Sequence, residues 1–161
     1  MNSVDRRRFL VAVGLASAAL SGDALAQGAD TPNVALVKSL YDAFGKGDIP
    51  TIIAACAPDV EWRSTGRSSD FPTFGSRQGQ AAVQEFFKLV GDNLNFSEFA
   101  PKEFYAVGEK VFVLGHYTMT VKKTGKAMES DWVHIFTIAN GKVKTFREFL
   151  DTARAAEAYR S

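Results

Sequence analysis

The chain has 161 residues, 46% of them hydrophobic and 23% charged, with 19 Lys and Arg against 18 Asp and Glu. That is the size of one globular domain, and thirteen Phe, four Tyr and two Trp exclude a disordered chain. The single cysteine, Cys56, excludes an internal disulfide framework; the balanced charge argues against nucleic acid as a partner; and no apolar run reaches the roughly 18–20 residues of a spanning helix.

Residues 1–26 read as an export signal. Asp5-Arg6-Arg7-Arg8-Phe9-Leu10 is a basic start, Val11 to Leu20 is an apolar stretch, and Ala24-Leu25-Ala26 supplies the small-x-small pattern that a signal peptidase accepts. The arginines followed by Phe-Leu resemble a twin-arginine signal. Cleavage would give a mature start at Gln27, a periplasmic or secreted location, and 135 residues with 16 basic and 16 acidic side chains. An uncleaved N-terminal anchor is the other reading of the same segment. No membrane association is expected after cleavage.

Thr31-Pro32 begins a helix, a capping residue followed by proline at the first helical position. Val34, Val37, Leu40, Tyr41 and Phe44 give it one apolar face, and Gly45 and Gly47 end it. Asp48 caps a second helix through Cys56, stopped by Pro58. A short strand covers Val60, Trp62 and Ser64, and Gly66 to Gly79 reads as a long loop. A third helix follows from about Gln80 to Val90. The period then changes. Phe96, Phe99 and Phe104 lie in a β-type stretch broken at Pro101, and Val111–Val121 and Met128–Ile138 are long strands joined by a turn at Lys123–Lys126. Asn140-Gly141 is a hairpin signal leading to a strand over Val143–Leu150, and Asp151 caps a closing helix to Tyr159. Helices followed by a curled antiparallel sheet make one α+β domain over residues 27–161.

Val37-x-x-Leu40-Tyr41-x-x-Phe44-x-x-Gly47-Asp48, Ala57-Pro58-Asp59-Val60-Glu61-Trp62, Asp131-Trp132-Val133-His134 and Asn140-Gly141-Lys142-Val143-x-x-Phe146-Arg147-Glu148-Phe149-x-Asp151-Thr152 occur in this order. Together they resemble the SnoaL-like branch of the nuclear transport factor 2-like superfamily, which includes ketosteroid isomerase, limonene epoxide hydrolase and polyketide cyclases. The resemblance covers about residues 33–155. It implies a cone, a strongly curved sheet wrapped around helices and enclosing an apolar pocket, and it implies a homodimer joined through the sheet. Tyr117, Met119, Val133 and Ile135 are expected on the covered face. The fold hosts enzymes and non-enzymes alike.

Strand alternation puts Phe146, Glu148 and Leu150 on one face of the last strand, and Trp132, His134, Phe136 and Ile138 on one face of the strand before it. The resemblance places Glu148 where limonene epoxide hydrolase has a catalytic carboxylate. It places His134 where ketosteroid isomerase and the cyclases carry a pocket Asp, and His116 and Thr118 near the Arg and Asp of the hydrolase. Trp62 and Ser64 match an aromatic and a water-positioning or base residue. Both known catalytic sets are incomplete. Ser64 and Leu40 stand at the isomerase's base and Tyr positions, and only Glu148 remains of the hydrolase's three.

What is left is His134 beside Glu148, where a carboxylate can fix the imidazole tautomer for general acid/base work, with His116 as a second donor to an enolate oxygen. Tyr41, Trp62, Ser64, His116, Thr118, Trp132 and Phe136 are the expected ligand-binding residues. A core histidine and a glutamate paired with a nearby lysine or arginine are the alternative to chemistry. Two functions follow: a cofactor-independent isomerase, lyase, cyclase or hydrolase acting on a small hydrophobic carbonyl compound, or a non-catalytic protein that binds such a ligand or a partner. No metal-ligand spacing, phosphate loop or nucleophile elbow is present, and no metal is expected.

Overall fold

The computed structural model describes residues 26–27 and 31–160. The expected export signal lies outside the described residues except for Ala26, the first residue of a two-residue strand β1 (Ala26–Gln27).

Helix α1 (Pro32–Gly45) begins as the sequence predicts, with the Thr31 hydroxyl accepting from the Val34 N–H at 3.2 Å. Asp48 caps α2 (Ile49–Ala55) through the Thr51 N–H. This helix stops one residue short of the expected end: Cys56 opens strand β2 (Cys56–Ser64), with Pro58 inside it. The proline is accommodated because the register between β2 and its neighbour slips between Cys56 and Glu61, where its missing N–H interrupts no ladder.

The expected loop Gly66–Gly79 contains a strand, β3 (Gly75–Gln78), which forms a hairpin with β2. Gly-Ser-Arg-Gln has no apolar alternation because β3 is an edge strand. Helix α3 (Gln80–Asn93) leads into β4 (Leu94–Val107), which passes through Pro101 by a register shift between Pro101 and Glu103. Strands β5 (Lys110–Val121), β6 (Ala127–Ala139) and β7 (Lys142–Phe149) follow as a meander. Asn140 and Gly141 take φ of 52° and 70° at the β6–β7 turn, the left-handed pair that a tight hairpin demands. Asp151 caps α4 (Thr152–Tyr159) through the Arg154 N–H.

The strands form one sheet in the order β1-β4-β5-β6-β7-β2-β3. It is antiparallel except for β2 and β7, which run parallel and set Trp62 beside Phe146 and Ser64 beside Glu148. The helices α1 and α3 pack into its concave side, against β4 and β5 and against β2, β3 and β4. Alternation on β5 buries Val111, Val113, Tyr117, Met119 and Val121, and on β6 it buries Trp132, His134, Phe136 and Ile138. Tyr117 and Met119 are therefore core residues and not, as expected from the sequence, part of an exposed face. The outer face carries Phe112, Leu114, Val133, Ile135 and Phe149, with Leu114 37% and Phe149 43% exposed.

Candidate functional site

Four side chains from four elements meet inside the cone. Tyr41 on α1 reaches His134 on β6, with 2.9 Å between its hydroxyl and Nδ1. His134 Nε2 lies 3.4 Å from Glu148 Oε1 on β7, and the Ser64 hydroxyl at the end of β2 donates to Glu148 Oε2. Register explains the meeting. His134 is the cross-strand partner of Glu148 and Ser64 is its parallel neighbour, so three inward positions fall in one row across the sheet. Tyr41 completes the row from the helix that the sheet wraps.

The directions of the hydrogen bonds follow from the donor inventory. An ionised Glu148 is acceptor-only, so Nε2 carries the proton pointed at it, and Nδ1 is left with the lone pair that accepts from the Tyr41 O–H. Both imidazole nitrogens are thus engaged by protein groups. The phenol is held in its neutral form: burial, then the negative charge of Glu148, push the Tyr41 pKa well above the ordinary tyrosine range.

Aromatic rings enclose this chain. The Trp132 indole stacks on the His134 ring at 3.9 Å between centroids, with Phe146 edge-on at 4.9 Å, and Trp62 stacks on Phe146 at 3.9 Å. Trp132 has room to lie flat because residue 115 is glycine; a Cβ there would stand 2.1 Å from the indole. The cavity has a volume of about 80 Å³, and Tyr41, Tyr117, His134, Glu148 and Thr73 bring polar groups to a mostly apolar wall that includes Trp62, Phe136 and Phe146. It shares Tyr41, Phe44, Phe87 and Phe99 with a wider cleft of about 930 Å³ between α1, α3 and β4.

Of the residues singled out in the sequence, Tyr41, Trp62, His134, Phe136 and Glu148 line the cavity. Ser64 supports Glu148 from behind, and Trp132 backs His134 without lining the space. His116 and Thr118 do not join them. They sit at the outward positions of β5, between the buried Gly115, Tyr117 and Met119, and His116 binds the exposed Asp131 at 2.8 Å on the outer face. The expected second donor to a ligand is therefore absent from His116.

Asp151 approaches Arg154 at 3.6 Å. Cys56 is buried, its thiol donating to the Ile52 carbonyl and its pKa raised by burial to about 11. Thr73 was not legible as a site residue, since it lies in a segment without periodicity. Among the described residues no group of three His, Cys, Asp or Glu side chains is placed to hold a metal ion, and no helix is long and apolar enough to cross a membrane.

Comparison with solved structures gives close likenesses. An NTF2-like protein from Burkholderia xenovorans LB400 is 36% identical, with a TM-score of 0.74 over 80% of this chain and 96% of that one. An NTF2-like protein from Burkholderia pseudomallei K96243 is 31% identical, with a TM-score of 0.73 over 81% and 99%. TerC, crystallised with polyporic acid, is 29% identical with a TM-score of 0.72 over 81% and 100%. No curated protein matches the chain. The SnoaL-like domain family matches residues 37–146, and with that span, this fold and these relatives the chain belongs to the SnoaL-like domain family.

Proposed function

We propose that the protein binds a small hydrophobic molecule bearing an enol, phenol or carbonyl oxygen and moves a proton on it, needing only its own side chains. The carrying observation is the unbroken hydrogen-bonded chain Tyr41–His134–Glu148–Ser64 in an aromatic cavity. A ligand O–H that donates to the Tyr41 oxygen completes a relay. As the ligand proton moves to that oxygen, the phenolic proton moves to His134 Nδ1, leaving a ligand anion, a neutral phenol and an imidazolium held by Glu148. Because burial and Glu148 disfavour the phenolate, the two transfers are concerted. In the charged state Nδ1–H donates to Tyr41, whose O–H now points at the ligand oxygen and stabilises its negative charge. Reversal returns the proton to the ligand at another atom, giving isomerisation, or after ring closure, giving cyclisation.

TerC crystallised with polyporic acid supports a ligand of this kind for the fold at this level of identity. The cavity holds only a few water molecules, so a ring-sized ligand uses the adjoining cleft, parting Phe44, Phe87 and Phe99. The basic and apolar N-terminal segment supports export with cleavage before Gln27, and the apolar outer face of the sheet supports a homodimer.

The test is single-turnover exchange or isomerisation of a bound enolisable ketone. His134→Gln and Glu148→Gln should each lower the rate about 10²–10⁴-fold with binding of a non-enolisable analogue retained. Unchanged rates would refute the acid/base reading and leave a binding protein, the alternative that fits the same cavity.

A further inference from the structure

The Tyr41–His134–Glu148–Ser64 chain satisfies its own members, but the cavity is also lined by Thr73, Tyr117 and Trp62, and of these Thr73 sits on a firmly held loop. Thr73 is 5% exposed and lines the cavity, and its hydroxyl makes no hydrogen bond among the described residues. The hydroxyl oxygen keeps accessible surface in the cavity, where a ligand oxygen can take the place of water as its partner.

The segment carrying Thr73 is a fixed wall. The Arg77 guanidinium donates to the Thr73 carbonyl at 2.9 Å and the Pro72 carbonyl at 3.0 Å, while lying over the Phe86 ring at 5.2 Å. Phe71 and Phe74 on either side are buried and pack on each other at 5.1 Å. Gly66, at φ 120°, lies against the Phe74 ring so closely that a Cβ would stand 2.2 Å from it. The backbone on both sides of Thr73 is thus pinned, which holds its side chain at the cavity wall.

We infer that Thr73 is a ligand-recognition residue and that the natural ligand carries two oxygen functions on an apolar ring body, one at Tyr41 and one at the Thr73 hydroxyl. The inference rests on the reading of the Tyr41–His134 relay as a ligand site. It adds a specificity rule: mono-oxygenated compounds leave the Thr73 hydroxyl unpaired and bind more weakly than a di-oxygenated compound of matching spacing.

The experiment is an NMR titration of the full chain with benzene, phenol and the three dihydroxybenzene isomers, under nitrogen. Wild-type protein should bind phenol more tightly than benzene, a gain lost in Tyr41→Phe. At least one dihydroxybenzene should bind about five- to tenfold more tightly than phenol. That second gain should vanish in Thr73→Val, which keeps the volume, and return in Thr73→Ser.

A second gain that survives Thr73→Val, or its absence for all three isomers, overturns the inference while the first gain still supports the relay. A first gain lost in Thr73→Val and kept in Tyr41→Phe overturns the relay reading and with it the two-anchor rule. The Trp62 indole N–H is buried without a partner and the Tyr117 phenol lines the same cavity. Loss of the second gain in Trp62→Phe or Tyr117→Phe, with Thr73→Val unaffected, would therefore move the anchor there and overturn the proposal. Failure of wild-type protein to bind any of the five at millimolar concentration overturns both.

Discussion

Tyr41 and Glu148 are the two ends by which His134 is held, and their chemistry predicts alkaline behaviour. The Tyr41 and Tyr117 phenols are both pushed above their ordinary value of 10.0, by burial first and the Glu148 charge second, and the Cys56 thiol is raised from 9.0 to about 11 by burial. In each case the unfolded chain loses the proton at a lower pH than the folded one. Stability is therefore unaffected below about pH 9 and falls as pH rises from 9 through 11, with the cysteine acting first and the tyrosines from 10 upward. Urea midpoints between pH 8 and 11 should decline over that window, and Cys56→Ala should remove the first part of the decline. In the folded state, absorbance titration should show two of the four tyrosines resisting ionisation past the normal range.

At the scale of elements, the site depends on how neighbouring strands stack. Gly115 on β5, Trp132 on β6 and the Ala100 carbonyl on β4 meet at one point, where a Cβ on residue 115 would stand 2.1 Å from the indole and 2.6 Å from the carbonyl oxygen. Gly115→Ala should cost about 1–3 kcal/mol through overpacking and displace the indole that stacks on His134. The checks are a lower urea midpoint and a changed near-ultraviolet circular dichroism spectrum at full far-ultraviolet signal.

The same scale shows what was legible in the sequence. On β7 alternation grouped Phe146, Glu148 and Leu150, and on β6 it grouped Trp132, His134 and Phe136. The resemblance, more than the character of the neighbouring residues, pointed to these as the inward faces. On β5 both parities are apolar, with Val111, Val113 and Met119 on one face and Phe112 and Leu114 on the other, because its outer face is apolar too. Alternation could not phase it, and His116 and Thr118 were placed inward by resemblance when they point out. The bond from Tyr41 to His134 spans 93 residues and joins a helix to a strand, which no local pattern encodes. Thr73 belongs to an aperiodic loop shaped by Arg77 and by two tightly packed phenylalanines, so only the folded chain discloses it.

At the scale of the molecule, the curved sheet has a filled concave side and an apolar convex one. Leu114, Val133 and Phe149 form a neighbourhood there, with Val133 opposite both Leu114 and Phe149 in the β-ladders. Under the proposal of a sheet-to-sheet dimer, light scattering should give twice the chain mass. Leu114→Glu should give a folded single chain, because a charge at the centre of an isologous contact meets its own copy. A wild-type protein running at the single-chain mass would refute the dimer. Since the cavity is lined from within one chain, ligand binding should survive that substitution.

The chain has two tryptophans, and both belong to the site: Trp132 lies face to face with the His134 ring, and Trp62 faces Phe146 in the cavity wall. Neither indole N–H has a protein partner. Every photon of indole emission therefore originates within one or two ring contacts of the relay. Under the proposed function, a bound ligand should alter Trp62 emission and a proton gained by the imidazole should quench Trp132. Occupancy and proton transfer can then be followed on the untagged, unlabelled chain, and told apart by replacing one indole at a time.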